Sequence, residues 1–295
     1  TVVDASALHS FLKLVFLNGD GTEVKITSLK LKIIGVSADA SVTNAYLFNG
    51  ATRLTDGSAV SETMVNFNNT SGLFSVPANG STTISVLADI NGTSSETVGF
   101  QIVSAADVTS NASSTKGTYP ITGNLMTIAT GTLAGVEWNA TTTPAAASVD
   151  PQDAYTVFQN SVIVTTRAAD LQRISFRKTG SVKDNDLQNF KLYVDGVQVG
   201  GTMQMTQNIF GESYVNFDLS GAPKRMEAGT RVIKLLADLV GGSNLNFTMH
   251  LWNVADVTVV DTQYKANILS DLISDATFSK RSTGEQTINA GTLTI

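Results

Sequence analysis

Asn79–Ile90, NGSTTISVLADI, returns later in the chain as Ala228–Leu239, AGTRVIKLLADL. Both copies set small turn residues ahead of a segment with alternate apolar positions: Ile84, Val86 and Ala88 in the first, Ile233, Leu235 and Ala237 in the second. Period-two alternation is the signature of a strand with one buried face. The same spacing carries Val98–Val108 (VGFQIVSAADV) onto Phe247–Val257 (FTMHLWNVADV). A spacing one residue longer carries Val65–Phe67 onto Val215–Phe217, both reading VNF. One domain is written twice.

A repeat within 295 residues predicts two domains of ordinary size, each with its own core. The expected division is domain 1 over 1–134, a linker over 135–149 and domain 2 over 150–295. The linker reading rests on the Thr, Pro and Ala content of AGVEWNATTTPAAASVDPQDAY, with Pro144 and Pro151 limiting its freedom.

Working outward, Ser10–Leu17 reads as a strand and Asn18–Gly21 (NGDG) as a hairpin turn. In VKITSLKLKIIG, Leu29, Leu31 and Ile33 face inward and Lys30 and Lys32 outward, matched by Ile174, Phe176 and Arg177 in the second copy. Asn49-Gly50 and Asp195-Gly196 are tight hairpin turns in both copies. The copies differ most after Val108 and Val257, where the second is longer and Ile268, Leu269, Leu272 and Ile273 fall at helical spacing. They converge again on closing strands, Leu125–Leu133 and Gln286–Ile295. Each copy offers roughly seven to eight short strands in about 130 to 145 residues, which suits two packed sheets. The predicted fold is all-β: two tandem immunoglobulin-like antiparallel β-sandwich domains related by internal repeat.

Charged residues make up 15% of the chain, against about 25% in typical soluble domains, and Thr, Ser, Asn, Gly and Ala stand in their place. The net charge is −6 with no basic run longer than a pair such as Arg177-Lys178. Nucleic acid is thereby an unfavourable partner, since phosphate binding needs a basic stripe. The absence of cysteine excludes disulfides, thiolate metal sites and cysteine nucleophiles. No apolar run approaches the 18 or so residues of a membrane span. The opening at Thr1, with neither an initiator Met nor a signal segment, reads as a mature chain or an excised piece.

The shared pattern, a charged-apolar strand, an L-Y-x-D-G hairpin, V-N-F, an A-G-T strand ending L-A-D, and a closing G-T-L-T-I, resembles the tandem β-sandwich repeats of bacterial cell-surface and S-layer-like proteins. The resemblance covers nearly the whole chain and rests on turn and core residues. Domain 1 departs from it, with Asn49 where domain 2 has Asp195 and Gly131–Gly135 (GTLAG) in place of the full closing strand. The resemblance implies an exported chain that works in arrays as a coat, stalk or fibre.

Candidate sites are few. Hard oxygen ligands bunched in a loop suit calcium, and Asp184 and Asp186, with Asp170 nearby, form the one acidic group worth weighing against a solvated turn. Its match in the first copy keeps only Asp39. No other cofactor is called for. Asp89/Asp238 and Asp107/Asp256 recur at strand ends and are expected to accept loop N–H groups. His9 and His250 are the only histidines, which leaves no zinc site or nucleophilic triad, and His250 takes the outward phase of its strand. Trp138 and Trp252 are candidate stacking platforms for a sugar or for a neighbouring domain. Sequons begin at Asn68, Asn69, Asn79, Asn91, Asn111, Asn139 and Asn246 and matter only where exported proteins are glycosylated. The termini, Thr1, Val2 and Val3 with Thr292, Leu293, Thr294 and Ile295, read equally as the cut ends of a longer array or as strands that pair with a neighbouring subunit by strand addition. The expectation is a non-enzymatic, extracellular structural protein of a surface layer or filament, with itself as partner. The alternative is a surface-displayed adhesin or carbohydrate-binding module with a glycan as partner.

Overall fold

The computed structural model describes residues 1–208, 210–270 and 280–290. The chain divides into two units, Thr1–Leu133 and Ala134–Ile295.

Unit 1 begins with β1 (Val2–Val3), β2 (Ser6–Leu17), β3 (Val24–Ile34), β4 (Val42–Asn49), β5 (Thr52–Arg53) and β6 (Met64–Asn68). Then come β7 (Phe74–Val76), β8 (Ser81–Ile90), β9 (Thr97–Ile102), β10 (Val108–Ser110), β11 (Ile121–Thr122) and β12 (Met126–Ala129). One sheet runs β2-β8-β4-β5, antiparallel throughout. The other centres on β3, with β6 and β7 along one edge and β9 and β10 along the other. β9 pairs onward with β11 and β12, and β1 lies parallel to β12.

Unit 2 repeats this plan. Its first strands are β13 (Gly135–Trp138), β14 (Ala147–Val149), β15 (Tyr155–Thr165), β16 (Ala169–Gly180), β17 (Leu187–Val194) and β18 (Val197–Met203). They are followed by β19 (Thr206–Gln207), β20 (Ser213–Asp218), β21 (Lys224–Met226), β22 (Gly229–Leu239) and β23 (Asn246–Leu251). Last come β24 (Val257–Asp261), β25 (Asn267–Ile268), β26 (Arg281–Ser282) and β27 (Gln286–Ile288). β15-β22-β17-β18 form one sheet. β16 carries β20 and β21 on one edge and β23 and β24 on the other. β14 lies parallel to β27 as β1 does to β12.

The alternation seen in the sequence is the burial pattern. Ile84, Val86 and Ala88 are fully buried, as are Leu235 and Ala237, with Ile233 at 1%. Each unit has its own core drawn from both of its sheets. Edge-to-face aromatic pairs cross the gap: Phe11–Phe100 at 5.4 Å in unit 1 and Phe158–Phe176 at 5.0 Å in unit 2. Offset and edge contacts of this kind add to the area burial of the rings.

Three readings are corrected. Residues 135–149 are not a free linker: β13 pairs with β15 and β14 with β27, so both belong to unit 2. Their Thr and Pro content hid two short strands whose apolar residues, Val136, Trp138 and Val149, are buried. The NGDG segment joins strands of different sheets rather than a hairpin, because β2 and β3 do not pair within the unit. Asn18 holds that crossing, donating from Nδ2 to the carbonyls of Thr22, Val76 and Pro77 and accepting the Asp20 N–H. In the first hairpin the turn falls at Gly50-Ala51, closed by the pair Asn49 and Thr52, one residue later than expected. Asp195-Gly196 is the turn of the second, with positive φ at both residues. Leu272 and Ile273 lie outside the described residues, while Ile268 belongs to β25.

Candidate functional site

The acidic group around Asp184 sits on a short 3-10 turn, Asp184–Asp186, between β16 and β17. Asp184 Oδ1 accepts from Ser213 Oγ at 2.6 Å and meets Lys178 Nζ at 2.9 Å, while Oδ2 accepts from Gln207 Nε2 at 2.7 Å. Burial opposes its charge, but the Ser213 hydroxyl, Lys178 and Gln207 together hold its pKa below the ordinary value. Asp186 Oδ2 instead accepts the Lys183 N–H within the turn. Asp170 lies near the start of β16, opposite Arg225, at the other end of the strand from this turn. Asp184 and Asp186 are therefore engaged separately, Asp170 lies apart from both, and the Lys178 ammonium sits against Asp184. Among the described residues no group of three or more His, Asp or Glu is placed to hold a metal ion. In unit 1 the matching Asp39 accepts the Thr63 N–H.

His250 is buried rather than on the surface, at 5% exposure. Its Nε2 meets Thr179 Oγ1 at 2.8 Å and its Nδ1 meets Ser282 Oγ at 2.7 Å. Burial first, then the charges of Lys280 and Arg177, push its pKa down to about 4. Trp252 stands edge-on to this ring at 5.4 Å. The Arg177 guanidinium lies 4.0 Å and Lys280 Nζ 4.1 Å from the Trp252 ring centroid. Arg177 is itself held by Glu212 at 2.6 Å. Cation–π contacts thus engage the indole, so a sugar ring stacking there would have to displace them. Tyr214 is buried, and Tyr193 stays partly exposed on β17.

The recurrent acids behave as strand-end clamps. Asp89 Oδ1 accepts the Leu8 N–H and Asp238 Oδ1 the Ala154 N–H, at corresponding places in the two units. Asp107 and Asp256 accept the N–H of Ser104 and Asn253. Asp89 is almost wholly buried, and desolvation raises its pKa to about 6 against the Leu8 and Tyr46 hydrogen bonds. Sequence reading missed Asp261, which is fully buried. Its Oδ2 accepts from the Ala134 N–H and from Arg167, both at 2.7 Å, and its Oδ1 from the Gln263 and Tyr264 N–H groups. Burial opposes its charge, but these donors hold its pKa below the ordinary value. Its counterpart in the first copy is Ala112, so the repeat itself gave no signal.

Of the terminal residues, Thr1 is exposed, while Val2 and Val3 pair with Ile128 and Ala129 of β12. The N-terminal strand expected to pair with a neighbouring subunit is here paired within its own unit, with Val2 1% exposed in that unit's core. Thr292, Leu293, Thr294 and Ile295 lie outside the described residues. A different feature opens beside β2: a cavity of about 490 Å³ lined by Leu14, Phe16, Ile26, Ile102, Val108 and Tyr119 among others. It lies between the two sheets of unit 1, and the sequence gave no hint of it.

No family model matches this chain, and no curated protein matches it. Similar solved structures include AvmM, which catalyses macrocyclization in alchivemycin A biosynthesis, at 7% identity over 55% of this chain and 92% of that one, TM-score 0.27. The C-terminal domain of the Streptococcus agalactiae AgI/II polypeptide BspA is similar at 8% identity over 98% and 95%, TM-score 0.23. BcpA, the major pilin subunit of Bacillus cereus, follows at 9% identity over 88% and 69%, TM-score 0.22. At such scores these likenesses carry no argument, and the all-β antiparallel fold rests on the strand pairings above.

Proposed function

We propose that this chain is a non-enzymatic structural module, exported to the outside of a cell and assembled with copies of itself into a surface layer or filament. The observation that carries this reading is the duplication: two units with the same strand connectivity and separate cores follow one another in a single chain. Repeated self-sufficient units are a common way to build length. The weakly charged, Thr- and Asn-rich composition supports it, since close lateral packing of copies is not opposed by a strong single-sign field.

The test is electron microscopy of the purified chain over a concentration series, with calcium and with EDTA. Filaments or sheets growing with concentration are expected in both conditions, because Asp184 is already satisfied by Lys178, Ser213 and Gln207. Monodisperse particles at every concentration would sink the assembly reading. A second reading, a glycan-binding surface, is favoured by one place: the open depression beside Tyr193, with Thr156, Gln159, Asp195 and Lys234 around it. A glycan array separates the two, and binding abolished by Tyr193→Ala would favour the second.

A further inference from the structure

All four Asn-Gly pairs of the chain, Asn18-Gly19, Asn49-Gly50, Asn79-Gly80 and Asn91-Gly92, fall in unit 1. The pair is a favoured turn dipeptide, but it also carries a chemistry of its own. Glycine has no Cβ to block its amide nitrogen, so that nitrogen can reach the Cγ of the preceding asparagine. Whether it does so depends on what holds the side chain and the N–H, and the structure holds three of the four pairs.

Asn18 is 7% exposed; its Nδ2 donates to the carbonyls of Thr22, Val76 and Pro77 while its Oδ1 accepts the Asp20 N–H. Turning its Cγ toward Gly19 would break these bonds in a buried place. Asn79 is exposed, but the Gly80 N–H donates to the Pro77 carbonyl at 3.1 Å and the Asn79 N–H to the Asp20 carbonyl at 2.9 Å. Asn91 is exposed too, and there the Gly92 N–H donates to Asp4 Oδ1 at 2.8 Å. A carboxylate against that N–H favours its protonated form, which is not the nucleophile. Asn49 and Gly50 are both exposed at the tip of the β4-β5 hairpin, Gly50 with a φ of 57°. Among the described residues neither the Asn49 side chain nor the Gly50 N–H has a hydrogen-bond partner. The space around Gly50 is open, since a Cβ there would meet nothing within 4 Å.

We propose that Asn49 is a modification site, the place where the folded chain deamidates through its own backbone. Hydroxide takes the Gly50 N–H proton, and the freed nitrogen attacks Asn49 Cγ to close a succinimide ring. The Cγ–Nδ2 bond breaks and ammonia leaves, taking a proton back from water. Water then adds to one of the two ring carbonyls. Opening at the former side-chain carbonyl leaves aspartate, and opening at the main-chain carbonyl leaves isoaspartate; no oxidant or reductant takes part. Either product carries a new carboxylate, which makes the net charge of −6 one unit more negative. Isoaspartate also routes the main chain through a side-chain methylene at the residue whose pairing with Thr52 closes the hairpin. The β4-β8 ladder, which holds Val42 to Phe48, lies outside that change. The site does not depend on assembly.

The test incubates the full folded chain in warm, mildly alkaline buffer and follows each Asn-Gly pair by peptide mapping, with isoaspartate counted by enzymatic methyl transfer. Asn49 is expected to react about tenfold faster or more than Asn18, Asn79 and Asn91, the factor that one hydrogen bond of ordinary net strength imposes. In urea, where those bonds are gone, the four rates are expected to come together. Asn49→Gln, at an exposed position, is expected to fold as the parent does and to abolish the fast phase of the intact chain's mass gain. Equal rates at the four sites in the folded chain, a lead taken by another site, or no reaction at Asn49 while the urea-unfolded chain reacts would each overturn the assignment. So would a fast phase that persists in Asn49→Gln with an unchanged melting curve.

Discussion

Asp89 is the residue whose burial has the clearest consequence. Its carboxyl gives up water for two hydrogen bonds, from Leu8 N–H and Tyr46 Oη, and these do not offset the desolvation. The folded pKa, raised to about 6 from 3.8, means the folded state holds this proton more tightly than the unfolded chain. The resulting stability is fully present below pH 3.8 and is lost as pH rises through 6. Asp89→Asn keeps an acceptor for Leu8 and removes the charge. It is expected to match the parent near pH 4 and to exceed it at pH 7.5 by up to about 3 kcal/mol in denaturant unfolding. A variant less stable than the parent at pH 7.5 would show that the carboxylate is better solvated than its burial implies. His250 acts in the opposite sense: with a folded value of about 4 against 6.5 unfolded, its contribution is present above 6.5 and is lost as pH falls toward 4.

At the scale of the element, both central strands leave their sheets through a glycine that nothing larger can replace. Gly35 after β3 and Gly180 at the end of β16 have φ of 109° and 108°. A Cβ at Gly35 would stand 2.2 Å from the Thr97 carbonyl oxygen, and one at Gly180 2.4 Å from that of Asn246. Since both obstacles are backbone of the neighbouring strand, relief requires moving β9 or β23. Gly180→Ala is expected to cost roughly 2–4 kcal/mol, combining the left-handed strain with the clash, whereas Gly196→Ala, at φ 78° with nothing near its Cβ, should cost about 1 kcal/mol. Chemical unfolding of the two variants side by side checks this; equal losses would mean that the strand neighbour yields. The strands themselves were legible because alternation and turn chemistry are local. Strand β13 was not, because a four-residue edge strand rich in polar neighbours is defined by the strand it pairs with, and β15 lies beyond a long intervening segment.

At the scale of the whole molecule, two cores predict two responses. Trp138 belongs to the unit 2 core alone, so Trp138→Ala is expected to lower the stability of unit 2 by about 3–5 kcal/mol and to leave the transition of unit 1 unchanged in calorimetry. A uniform shift of all unfolding would show that the units melt as one. The sequence by itself determined the repeat, the all-β class, the buried faces and the strand-end clamps at Asp89, Asp107, Asp238 and Asp256, because each is written in short-range periodicity and spacing. Only the tertiary structure decided that 135–149 is part of unit 2, that Asp184 is closed by Lys178 and Ser213, that His250 is buried beside Trp252, and that a cavity opens beside β2 in unit 1. Those facts depend on which distant segments meet. Burial, ion pairing and edge cover are properties of neighbours in space, and a single chain of letters records only neighbours in order.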